Sequence, residues 1–299
     1  MKMICLLLAF SLMSMAGARA ADPVVEIHTG KHWIWYAPKD LFQQHEKDIE
    51  SYYSYADNAF SYLTGAWGLV PPRKQYFLFV NPQTGGGFAA GDIQQIHAVT
   101  GKDAPGIGVA YDAFFNVANG IKGYWGYVLT THEMVNLLTG QIVSGGWPVD
   151  WWADHVSPFP LMTAVQVEFA LKPEVAIYHA RQLDTPLTRM FVRLKDEFGW
   201  SLFRKAFVQA INDGVQWDLL GANPSALRTN YVAAYLQMHA PADLARYLSG
   251  VVPGYDPATV SLIIRAHERW EALPRSDPQR KELQDAFLHG DYNRVLAQP

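Results

Sequence analysis

The sequence predicts an α+β fold, in which an N-terminal mixed sheet with helices packs against a C-terminal, mostly helical half. Three observations carry this expectation. Short β-branched and aromatic runs bounded by turn residues are confined to the region before about residue 124. Beyond it, apolar residues recur at helical spacing and Pro falls at first-turn positions. No repeat, low-complexity tract or flexible linker separates the two parts. The 299 residues, 49% of them hydrophobic, are enough for one large core or two closely packed ones.

Residues 1–20, "MKMICLLLAFSLMSMAGARA", read as a secretory signal. Lys2 supplies the positive start, residues 4–13 the apolar stretch, and Ala18-Arg19-Ala20 the small-x-small cleavage site, with cleavage near Ala20-Ala21. The expected destination is periplasmic or secreted. The apolar stretch is too short to span a bilayer, and no later run reaches the length a span needs, so no integral membrane segment is expected. Cys5 is the only cysteine and leaves with the signal, so the mature chain has neither disulfides nor thiol chemistry. Loss of Lys2 and Arg19 takes the formal charge from −4 to −6, and there is no basic patch to support nucleic-acid binding.

In the first part, residues 21–140, "PVVEIHTGKHWIWYA" (23–37) forms a strand or two. A helix follows, with Asp40 able to cap its start and Ile49, Tyr52, Tyr53, Ala56, Phe60 and Leu63 at helical spacing. "QYFLFV" (75–80) reads as a buried strand, "NPQTGGG" as a turn, and "GFAAGDIQQIHAV" and "GIGVAYDAFFNV" as further strands with loops between them. In the second part, residues 141–299, helices are expected at 148–155, 160–171, 173–182, 186–198, 200–213, 224–239, 241–249, 256–271 and 278–296, with Gly140, Gly199 and Gly214 as stops. The helix at 125–138 stands at the junction, where clefts tend to form.

That junction helix contains "YVLTTHEMVNLLTGQ" (127–141). On an α-helix, positions i and i+4 share a face, so His132 and Asn136 project together with Glu133 one step around. A His-Glu-x-x-His helix uses this spacing to hold one Zn²⁺ while the glutamate acts on the water the metal activates. Here Asn136 occupies the second ligand position. A third ligand must come from elsewhere, and "GWPVDWWADHVSPFP" (146–160) offers Asp154 and His155 on a short helix. Adjacent helical residues point about 100° apart, so one of the two faces the site. Asp150 could support a ligating histidine from behind.

The order of helix, strand, Gly-rich edge strand, strand, HE-helix, Trp-containing helix with an acidic residue, and helical domain resembles the gluzincin metallopeptidases, the thermolysin-like superfamily with a zincin-like fold. "WWAD" (151–154) is similar to the W-x-x-E stretch with which that family supplies its carboxylate ligand, "RLKDEFGWSLFRKAF" (193–207) resembles a segment of the enhancin-like members, and "GGGFAAG" (85–91) falls where the family has its substrate-binding edge strand. The resemblance covers roughly residues 40–250. It implies one Zn²⁺ per chain held by His132, Asn136 and Asp154 or His155, with Glu133 as general base and a polypeptide or glycopeptide substrate. It also implies a Tyr or His from the helical half that steadies the oxyanion, for which Tyr231 is the candidate. The amide at Asn136 is a weak, neutral ligand for Zn²⁺. The alternative is therefore a catalytically inactive peptidase-like scaffold that binds a peptide or glycan.

Overall fold

The computed structural model describes residues 22–142, 158–182, 185–215 and 226–297. The signal at 1–20, the helix at 148–155, Asp154 and His155 lie outside the described residues. The α+β class is as expected.

The N-terminal part is built on a five-stranded sheet. Its first strands, β1 (Val24–Thr29) and β2 (Trp33–Pro38), pair antiparallel, with an irregularity between Glu26 and His28. Two helices follow, α1 (Lys39–Glu50) and α2 (Tyr53–Trp67). The single helix expected from residue 40 is thus two, separated at Ser51–Tyr52, where the Tyr52 hydroxyl leaves the helix line to donate to the carbonyl of Gly123. The cap of α1 is not Asp40. The Asp22 carboxylate accepts from the Asp40 and Leu41 amides instead. α2 buries Tyr55, Ala56, Ala59, Phe60, Leu63 and Trp67, a face spaced at 3–4 residues, and ends at Gly68.

Strands β3 (Tyr76–Asn81), β4 (Gly87–Ala90) and β5 (Gly106–Ala110) complete the sheet in the order β1-β2-β3-β5-β4. β2, β3 and β5 run parallel, and β4 returns antiparallel at the edge. β5 is buried along its whole length, as a central strand must be. Its Gly106 lies against the backbone of Phe77, which leaves no room for a Cβ. The stretch after β4, expected as a strand, is the helix α3 (Gln94–Thr100). Only Ile93 and Ile96 of this stretch are fully buried, a spacing of three that suits one face of a helix and not one face of a strand. The segment after β5, also read as extended, is a 3₁₀ turn at Tyr111–Phe114. A two-residue hairpin then joins β6 (Val117–Ala118) to β7 (Ile121–Lys122), with both Asn119 and Gly120 at positive φ.

The junction helix α4 (Tyr124–Ile142) runs through Gly140, which therefore does not stop it. It packs against β4 and β5 on one side and against α2 and α5 (Pro158–Leu171) on the other. α5 is apolar and buried on nearly all sides, the signature of a central helix. α6 (Pro173–His179) and α7 (Pro186–Phe198) pack on it, and α8 (Trp200–Asn212), α9 (Ala226–His239), α10 (Ala245–Leu248), α11 (Pro257–Glu271), α12 (Pro278–Leu288) and α13 (Tyr292–Ala297) follow, with α9 between α8 and α11. Three of these begin as their sequence dictates, with Pro in the first turn and a side-chain oxygen capping it. Thr185 accepts from the Thr188 amide, Asp256 from Ala258 and Thr259, and Asp277 from Gln279. The helix expected at 241–249 is shorter because Leu244 N donates to the side chain of Gln237 and Ala245 N to that of Asp243. The one expected at 278–296 is broken at Gly290.

One apolar cluster runs through both parts. Trp67 of α2 is its hinge pin: its ring lies 5.8 Å from Phe159 of α5, 6.4 Å from Trp200 and 5.3 Å from Phe207 of α8. The helical part also contains a buried polar hub. Asp213, 2% exposed, accepts from the Tyr235 hydroxyl at 2.7 Å, from His267 Nε2 at 2.8 Å and from Gln209 Nε2 at 2.9 Å, while Gln284 donates to its backbone carbonyl at 2.9 Å. Three helices, α8, α9 and α11, are thereby tied to one carboxylate, and α12 to the backbone carbonyl of the same residue.

Candidate functional site

α4 is fixed from behind before it presents anything in front. The Tyr55 hydroxyl bonds Thr131 Oγ1 at 2.7 Å and lies 3.3 Å from the carbonyl of Tyr127. With the Tyr52–Gly123 bond, this locks the helix to α2 at its first two turns. Burial holds the Tyr55 hydroxyl well above its ordinary pKa, so it stays a neutral donor. Met134, Val135, Leu137 and Leu138 are buried and fill the space between sheet and helical part.

The other face carries the sequence-predicted residues. His132 and Asn136 are half-buried and Glu133 is buried at 6% exposure. Asn136 Nδ2 donates to Glu133 Oε2 at 3.0 Å. The other end of the same amide, Asn136 Oδ1, is buried with no hydrogen-bond partner among the described residues. A buried acceptor without a donor costs about 1–3 kcal/mol, and a water, another donor or a cation can relieve it.

In front of Glu133 passes the edge strand. A Cβ placed on Gly87 would stand 2.7 Å from Glu133 Cγ and 2.9 Å from its Oε1, with the carbonyl of Gly108 also at 2.9 Å. Glycine at 87 is thus what lets β4 cross the carboxylate so closely. Gly87→Ala is expected to cost about 1–3 kcal/mol by overpacking, read as a lowered Tm. Gly65→Ala, in α2 with nothing within 4 Å of the added carbon, is the control and should raise it. Equal Tm values for the two would mean that β4 does not press on Glu133.

Of the expected ligand set, the structure places His132, Glu133 and Asn136 on one turn and a half of α4. Asp154 and His155 lie outside the described residues. Tyr231 is corrected: it is fully buried in the helical part, its hydroxyl donates to the carbonyl of Phe287, and its ring stacks on Tyr235 at 6.1 Å. It has no surface to offer a substrate, because the aromatic stripe of α9 packs the core between α11 and α12.

Three other polar groupings were not legible in the sequence. The Asp213 hub joins residues up to 71 positions apart. Glu168 and His179 form a pair with no exposure, His179 Nδ1 lying 2.7 Å from Oε2 and 2.9 Å from Oε1, with the Tyr124 ring 3.9 Å from the imidazole. Burial pushes the Glu168 carboxyl above its usual range, against the opposing pull of His179. The pair braces α5 against α6. Asp92, His97 and Asp103 bring one ligand atom each within 4.8 Å of one another. Asp92 is already spent, however, accepting from Ala104 N and Gln94 Nε2 with His97 Nδ1 at 2.9 Å, and Asp103 is largely exposed. This trio clasps the loop after α3 and is no indication of zinc.

No family model matches the sequence, and neither curated proteins nor solved structures give a significant match.

Proposed function

We propose that the chain is an exported metallohydrolase, a peptidase of the gluzincin kind, acting on a polypeptide or glycopeptide laid along β4. The observation that carries this reading is the crossing of the edge strand over Glu133 at Gly87, where a buried carboxylate lies beneath a strand with one edge unpaired among the described residues. An extended chain added to that edge would have its carbonyls within reach of α4.

His132 and Asn136 Oδ1 would hold the metal, with a third donor from the 146–160 stretch, and the orphaned Oδ1 fits that role. When bound, such an ion lowers the pKa of water toward ~7 and polarises a carbonyl. Glu133 does the rest. Its Oε2 is fixed by the Asn136 amide, while Oε1 lies on the Gly87 side, where a proton is taken from the attacking water and passed to the leaving amine.

A second reading rests on the same hydrogen bond. An amide donating to the general base restrains it, and an amide oxygen is a poor zinc ligand. On this view the scaffold is inactive and binds peptide or glycan.

Metal analysis of the mature protein separates the two. The first reading expects about one transition metal per chain, lost in His132→Ala, with peptide cleavage lost but metal kept in Glu133→Gln. An unmetallated wild type at saturating Zn²⁺, or cleavage that survives Glu133→Gln, removes it.

A further inference from the structure

Far from α4, the helical part holds a cavity of about 730 Å³ at the open ends of α8, α11 and α12. This is within the range of small-molecule sites. Its wall contains three carboxylates and three cations, but they are not evenly used. Asp213 is held by the hub. Asp277 caps α12, and Glu271 leans to His267 at 3.5 Å. Arg280 is folded back onto the carbonyls that end α11, at 2.7 Å from that of Glu271, and lies over the Trp270 ring at 4.9 Å.

What remains is positive. Arg275 and Lys281 both line the cavity and are exposed, and among the described residues neither has a hydrogen bond or ion pair. Lys281 stands in the first turn of α12, whose amide end adds positive potential. Trp270 forms part of the same wall and is 2% exposed, yet among the described residues its indole N–H has no partner. An indole nitrogen can only donate, and a buried donor left unmade is costly. The exposed cations and the orphaned donor ask for the same thing, an oxygen acceptor with negative charge.

We propose that this cavity binds a small oxyanion-bearing ligand, a phosphate or carboxylate, through Arg275 and Lys281, with the Trp270 N–H as the buried donor. Charge-assisted bonds from Arg and Lys suit either group. This site is independent of the reading of the α4 face.

The test is titration of the mature protein with inorganic phosphate and, separately, with citrate, at constant ionic strength set by chloride. Binding is followed by calorimetry and by the indole N–H resonance of Trp270, assigned as the signal missing from Trp270→Phe. The expected result is saturable 1:1 binding of at least one of the two anions, a shift of that resonance, and affinity at least tenfold weaker in the Arg275→Gln/Lys281→Gln double variant. Both substitutions are at exposed positions and leave the fold intact. Saturation by phosphate alone assigns a phosphorylated ligand, and by citrate alone a carboxylate. A linear, non-saturating response to both, or unchanged affinity in the double variant, overturns the proposal.

Discussion

Asn136→His is expected to tighten zinc binding by on the order of 100-fold or more, about 2.7 kcal/mol. His132 and position 136 share a face of α4, and α4 is anchored by Tyr52 and Tyr55, so the new imidazole would be held beside the old one. Two imidazoles are a far better donor pair for Zn²⁺ than an imidazole and an amide oxygen. The substitution also removes the Nδ2–Oε2 bond that restrains Glu133 and the orphaned Oδ1, so the wild-type residue leaves little behind to regret. Affinity would be read by competition with a chromophoric chelator, with His132→Ala/Asn136→His as the control. If the folded variant binds zinc no better than the wild type, α4 does not present a ligand face, and the gluzincin reading goes with it. Should affinity rise and Glu133-dependent peptide cleavage rise with it, Asn136 is the residue that holds the wild type back.

The second large effect lies in the helical part. Asp213→Ala is expected to cost about 3–5 kcal/mol, because it leaves the Tyr235 hydroxyl, His267 and Gln209 without their common acceptor in the interior. For a chain of this size that corresponds to a fall in Tm of roughly 10 °C. Tyr235→Phe, which removes one donor and leaves the carboxylate two, should cost only ~1 kcal/mol. Denaturant unfolding of both single variants and the double variant gives the coupling between them. A loss under about 1 kcal/mol for Asp213→Ala would show that α8, α9 and α11 hold together without their shared carboxylate.

The comparison between sequence and structure divides along physical lines. α2, α4, α7, α8 and α11 could be read in advance because each has a one-sided apolar pattern, a long apolar run or a Pro-started, capped first turn, all local signals. The stretch at 92–100 misled because "GFAAGDIQQIHAV" mixes alternating residues with a short i, i+3 pair, and only the tertiary surroundings decide between them. His132, Glu133 and Asn136 were legible because helical geometry alone brings them together. The closeness of Gly87 to Glu133 was half legible: the glycines marked an edge strand, but only folding sets it against the carboxylate. Glu168–His179 and the Asp213 hub were invisible because their members come from separate helices with no spacing rule to link them. Tyr231 shows the opposite failure. A plausible position on a helix in the right half says nothing about which way the ring faces, and here it faces the core.

The strand order has a kinetic consequence. β5 is central in space yet last in the chain, inserted between β3 and β4. Until residues 106–110 arrive, β4 has no partner, β3 has one edge open, and the floor on which α4 rests does not exist. Parallel pairings of this kind close long loops and are slow to form. A chain cut before residue 105 should therefore hold at most the β1-β2-β3 pairings, and a full-length chain should gain β4 and the platform under Glu133 only once β5 is in place.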